Sequence, residues 1–158
     1  VQDFGNAFST FTAQNYGAGQ SSRIKEALKK ATILSAAFSS AAAAAVFIFA
    51  EPLMRIFVSA SETEVIAAGV RYLHIEGVFY AGIGCLFLLY GFYRAVEKPG
   101  MSVVLTVISL GTRVLLAYLL AGIIGETGIW ISVPIGWLLA DITGYGYCIL
   151  KRKRLFSD

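Results

Sequence analysis

The sequence predicts an all-α membrane protein, with four full transmembrane helices and the end of a fifth. Three observations carry that prediction. Of the 158 residues 57% are hydrophobic and only 15% charged, with a mean hydropathy of +0.70, where soluble domains run at roughly 45–50% apolar and about 25% charged. The charges fall in clusters separated by long apolar runs, as expected when lipid is the solvent. The basic clusters also recur in alternate loops, the pattern of a chain that crosses a bilayer repeatedly.

Residues 1–19 read as the end of a helix, because the uncharged stretch 4–19 is too short for a whole span. A span needs about 20 apolar residues at 1.5 Å rise each. The first full one is assigned to 24–58, around the uncharged run 31–50. The second is assigned to 63–97 as a single helix, with a polar lead-in to the uncharged run 77–93 and a Ser61-x-x-Glu64 capping box at its start. Pro99 and Gly100 break the chain before the third, 99–124, whose only charge is Arg113. The fourth, 127–151, is interrupted only by Asp141 and carries Pro134, whose kink needs a protein-facing surface for the carbonyl it frees. Glycines 77, 82, 84 and 91 and the run Ala41–Ala45 let helices approach closely, and they expect partner helices.

Orientation follows from the basic residues. Arg23, Lys25, Lys29 and Lys30 precede the first span, Arg94 and Lys98 follow the second, and Lys151, Arg152, Lys153 and Arg154 form the tail. On the opposite side the loops carry Arg55 alone. The positive-inside rule puts the first set and the C-terminus in the cytoplasm of a multi-pass protein of the cell (inner) membrane. Beside spans, such clusters serve topology and lipid headgroups, so nucleic acid is not an expected partner and the lipid bilayer is. With no initiating Met and no basic leader, the chain reads as a fragment and its first helix not as a signal peptide.

The candidate transport or structural polar residues are Glu76, Arg113, Asp141, Gln14 and Asn15. Arg113 lies fourteen residues beyond Pro99, roughly 20 Å along its helix, and Asp141 ten residues before Lys151, roughly 15 Å from the same side. An unpaired charge at that depth costs about 2.5–3.5 kcal/mol on insertion scales, so a salt bridge between the two is expected. Glu76, shielded about twelve residues into its helix, can load and release a proton, or pair with Arg71. His74 reads as an interface residue. Cys85 and Cys148 match no metal-ligand or redox spacing and read as small buried apolar residues. With no P-loop, no G-x-S-x-G and no His/Cys cluster, neither an enzyme nor a bound cofactor or metal is expected.

The run Gln14-Asn15-Tyr16-Gly17-Ala18-Gly19, followed by Arg23-Ile24-Lys25, resembles a signature of the multidrug and toxic compound extrusion (MATE) transporters. Glu51-Pro52-Leu53-Met54-Arg55-Ile56-Phe57, Tyr72-Leu73-His74-Ile75, Phe92-Tyr93-Arg94-Ala95, the Gly125–Trp130 turn and Pro134-Ile135-Gly136-Trp137 follow in the family's order. The resemblance implies the end of the eighth helix and helices nine to twelve of a twelve-helix, two-lobe transporter. It implies cation-coupled antiport of drugs or amphipathic organic compounds, with the missing N-terminal lobe and small organic substrates as partners. A lipid-linked oligosaccharide flippase of the same superfamily and an inactive truncated protein are the alternatives. Where one branch of the family has an acidic cation-site residue, eleven positions before Arg94, this chain has Ile83. The first-helix Asp of the other branch has no counterpart here, so the coupling ion, Na⁺ or H⁺, is left open.

Overall fold

The computed structural model describes residues 2–151 and 155; Arg152, Lys153 and Arg154 of the basic tail lie outside them. The described chain is helical throughout: α1 (Gln2–Gly17), α2 (Ser21–Phe57), α3 (Thr63–Val78), α4 (Tyr80–Ala95), α5 (Pro99–Ile124) and α6 (Glu126–Leu150). Three helices, α2, α5 and α6, are each long and apolar enough to cross a membrane; α3 and α4 together are long and apolar enough for a fourth if the pair, bent by 53° at its break, is one span.

That bend corrects the expectation of one continuous helix over 63–97. Each glycine inside a helix costs about 1 kcal/mol relative to alanine, and Gly77, Gly82 and Gly84 crowd the turn where the span breaks. Phe79 stands between the two halves, its N–H donating back to Glu76 and Gly77 carbonyls in a tightened last turn of α3. The expected capping box is also absent. Glu62 occupies the cap position without a side-chain bond, and Ser61 Oγ lies 3.0 Å from Ser59 Oγ instead.

At 37 residues, α2 extends about 55 Å, well beyond the roughly 30 Å hydrocarbon layer. Its charged first turns, with a Glu26–Lys30 pair at 2.6 Å, therefore stand outside the apolar stretch. Helix α4 occupies the centre, against α1, α2, α5 and α6. Leu88, Leu89, Phe92 and Tyr93 on it are wholly buried, which explains why it is apolar on every face. Helix α5, by contrast, buries only Leu105 and Ser109 and turns Val103, Val107, Leu115 and Ile123 outward, as a lipid-facing helix does.

Glycines set the helix spacing. A Cβ at Gly5 would meet the Phe87 carbonyl oxygen at 2.6 Å, and one at Gly136 would meet the Ser109 oxygen at 2.5 Å. The α5–α6 turn passes through Gly125 at φ 62°, a left-handed conformation that glycine adopts without penalty. Pro134 is fully buried, so the face of α6 that it interrupts is turned to protein.

Candidate functional site

Two buried carboxylates mark the interior, and they belong to separate clusters. The first begins on α3. Tyr72 and Glu76 are four residues apart and share one face of the helix. Glu76 is 3% exposed, and neither of its carboxylate oxygens finds a hydrogen-bond donor among the described residues. From α5 the Arg113 guanidinium acts electrostatically on both Glu76 and Tyr72. Among the described residues no Cα of α3 comes within 8 Å of one of α5, so the interaction spans a groove. The groove, about 390 Å³, is lined by Tyr72, Arg113, Tyr118, Trp130 and Ser132 among others. At one end Tyr72 meets Trp130 edge-on at 5.8 Å, and Arg71 pairs with Glu126 at 3.2 Å. The expected Arg71–Glu76 pair is thus replaced by a bridge from α3 to the start of α6.

The second cluster surrounds Asp141. It is 9% exposed, and its Oδ1 has no donor among the described residues. A Cβ at Gly82, in the first turn of α4, would lie 3.6 Å from Asp141 Oδ2 and 3.9 Å from Trp137 Cβ. The Cys85 thiol and the Tyr145 hydroxyl both act electrostatically on Asp141 and share a hydrogen bond with each other. Tyr145 OH also lies 2.9 Å from Thr32 Oγ1, which ties α6 to α2.

The expected Arg113–Asp141 salt bridge does not form; the ion pairs of the described residues lie elsewhere. The reason is helical register. Gly136 is the α6 residue that faces Arg113, with 3.6 Å between its would-be Cβ and Arg113 Cβ. Asp141 comes five residues later, about 7.5 Å further along the axis and about 140° further round, and that rotation aims it at α4.

The remaining candidates occupy structural positions. Asn15 is buried and its Nδ2 donates to the Phe11 carbonyl at 2.8 Å, while Gln14 is exposed at the end of α1. Neither joins the carboxylate clusters. His74 stacks on Phe47 at 3.9 Å, with Nε2 3.2 Å from the Phe47 carbonyl oxygen, and so clamps α3 to α2. Cys148 is buried, whereas Cys85 stands in the polar cluster and is not the simple apolar filler expected. Sequence reasoning did not single out Thr32, Tyr145, Tyr72 or Trp130 as site residues, although Tyr72 and Trp130 stand in the motifs that carry the resemblance. For Thr32 a signal existed: with Ser35 and Ser39 it forms a polar stripe at i, i+3, i+7, and both serines are buried. Among the described residues no group of three or more His, Cys, Asp or Glu could hold a metal ion.

Comparison with known proteins adds the following. Residues 2–119 match the model of the MatE family. The chain is 27% identical over 158 residues to the probable multidrug resistance protein YpnP of Bacillus subtilis (strain 168), an alignment that covers 98% of this chain and 35% of that protein. It therefore spans about a third of that relative's length. No solved structure matches.

Proposed function

This chain belongs to the MatE family, and from that premise we propose that it forms part of the second lobe of a twelve-helix, two-lobe carrier. The carrier exports drugs or amphipathic organic compounds across the cell membrane in exchange for Na⁺ or H⁺. Its C-terminus and the basic clusters are cytoplasmic, in keeping with the loop charges.

The observation that carries this reading is the placement of Arg113. It sits near the middle of a 26-residue span and is exposed in the chain as described. A guanidinium facing lipid there costs about 2.5–3.5 kcal/mol even on insertion scales. In the whole protein its surroundings are therefore water or further protein. Substrate sites of secondary transporters lie near the midplane, at interfaces between repeats, and the central position of Arg113 in its span supports a place for it on such a path. Tyr72 and Trp130 line the groove at Arg113 and offer aromatic surface to an organic cation.

The test is accumulation of ethidium or norfloxacin in a pump-deficient bacterial strain that expresses the complete reading frame containing this chain. Lowered accumulation is expected from the complete frame and none from this chain alone, because alternating access needs one bundle to move against another. Unchanged accumulation with a well-expressed complete frame would contradict the proposal.

A further inference from the structure

We infer that the groove between α1, α4 and α5 is a binding site for the anionic phosphate head of a membrane phospholipid, anchored by Arg94. The inference goes beyond the carrier reading, and it rests only on the proposed cytoplasmic placement of the basic loops.

The helices meet closely here. A Cβ at Gly5 would lie 3.0 Å from the Phe87 carbonyl carbon, so α1 is set directly against α4. Asn6 follows Gly5 in the chain and Gln2 stands one turn before Asn6, and both line the groove. Helix α4 contributes Phe87, Tyr90 and Arg94, and Ser102 and Thr106 of α5 close the third side. The volume is about 280 Å³, less than the roughly 300–1,000 Å³ of pockets that enclose drug-sized ligands. That space suits a head group better than a whole organic substrate.

The charge is one-sided. Arg94 is exposed in the last turn of α4 and makes no ion pair among the described residues. Its Nε donates to the Tyr90 carbonyl at 3.3 Å, which holds the side chain back along its own helix. The two terminal NH₂ groups are left without an acceptor among the described residues. A guanidinium held in this way presents a fork that fits two oxygens of one phosphate. The lining contains no carboxylate; Asp3 and Glu97, the acids nearest to it in sequence, stand outside it.

The neutral groups divide into donors and acceptors. The Gln2 and Asn6 amides make no side-chain hydrogen bond among the described residues, and their N–H groups are free to donate. Ser102 and Thr106 have given their hydroxyl hydrogens to the Tyr90 and Ser102 carbonyls, at 3.4 and 3.0 Å. Their oxygens keep lone pairs that accept from a hydroxylated head. A phosphoglycerol answers both halves, with phosphate oxygens for Arg94 and the amides and hydroxyls for Ser102 and Thr106.

The surroundings select a lipid. Thr106 lies seven residues beyond Pro99, about 10 Å along α5, so the groove runs from the membrane boundary into the apolar layer. Beside it Val103, Val107 and Leu110, each at least 50% exposed, form one stripe at i, i+4 and i+7. An acyl chain can lie along that stripe while its phosphate stays at Arg94; a free anion gains nothing from it. Basic pockets between spans on the cytoplasmic side hold anionic lipid heads by this chemistry.

Native mass spectrometry of the purified full-length protein, titrated with phosphatidylglycerol or phosphatidylethanolamine, tests the site. Phosphatidylglycerol is expected to bind more tightly. Its affinity should fall by about tenfold or more in Arg94→Gln, and not comparably in Lys98→Gln, which removes an equal charge from outside the groove. Unchanged affinity in Arg94→Gln, or equal losses in the two variants, overturns the inference. Excess inorganic phosphate is expected to leave the lipid in place; displacement would assign the groove to a free anion and overturn the lipid. Because Arg94→Gln can fail to fold, the exposed Asn6 is also replaced by a photoreactive residue, Asn6→benzoylphenylalanine, in protein otherwise unsubstituted and held in phosphatidylglycerol liposomes. Photolysis that yields a lipid adduct at this position supports the site. An adduct only to another segment of the protein, or none, overturns it. These readouts measure binding and not transport, so the inference and the carrier reading fail separately, and thiol labelling from the two faces reads the topology on its own.

Discussion

Gly136→Ala tests the helix register that separates Arg113 from Asp141. The new Cβ would sit 2.5 Å from the Ser109 oxygen and 3.3 Å from its carbonyl carbon. Carbon–oxygen contacts between helices settle near 3.3–3.6 Å, so α5 has to retreat by roughly 0.8–1.1 Å. The clashing atom is backbone, and no rotamer change at Ser109 relieves it. Overpacking of this kind costs about 1–3 kcal/mol, set against a gain of up to about 1 kcal/mol in helix propensity. Gly111→Ala on α5 is the control, because its Cβ meets nothing within 4 Å and collects the propensity gain alone. The two variants are therefore expected to differ by about 1–3 kcal/mol, a factor of roughly 5 to 150 in the folding equilibrium. Dodecyl sulfate titration of the purified full-length carrier in mixed micelles, followed by circular dichroism, measures the difference. Coincident titration curves for Gly136→Ala and Gly111→Ala would refute the close α5–α6 approach, and with it the reason given for the missing Arg113–Asp141 pair.

Three further outcomes are expected. Tyr93→Phe removes a hydroxyl that donates to the Gly144 carbonyl at 2.5 Å in the buried centre, and the same titration should record a loss of about 0.5–1.5 kcal/mol; an unchanged midpoint would remove that bond from the account. Thr32→Val and Tyr145→Phe, combined in a double-mutant cycle, should couple by at least about 0.5 kcal/mol, whereas strict additivity would show that α2 and α6 are not joined through these hydroxyls. A cysteine placed at Ser21 should react with an impermeant thiol reagent only from the cytoplasmic face and one at Glu62 only from outside, and labelling of both from one face would overturn the topology.

Helical class and apolar lengths were legible in the sequence because charge exclusion from lipid is a one-dimensional signal. The 37-residue α2 and the turn at Gly125 are both readable from where the charges and glycines fall. The break at Phe79 was not, since three glycines in a span are compatible with a straight helix until neighbours choose otherwise. For the same reason Arg113 and Asp141 looked like partners: depth along an axis can be counted from sequence, but rotation about it depends on which glycine, here Gly136, faces the next helix. The importance of Glu76, Arg113 and Asp141 was visible from their cost in lipid alone. Their actual neighbours, Tyr72 and Trp130 on one side and Cys85, Tyr145 and Thr32 on the other, are ordinary residues whose meaning comes only from assembly.

In the proposed carrier, the face bearing Arg113 looks onto a water-filled substrate path and not onto lipid. Arg113→Cys, in the full-length carrier with Cys85 and Cys148 replaced by alanine, tests it directly. The thiol is predicted to react with a hydrophilic, charged thiosulfonate despite its mid-membrane depth, and more slowly when ethidium is bound. A thiol that reacts only with a membrane-soluble maleimide, at a rate indifferent to ethidium, would contradict the claim.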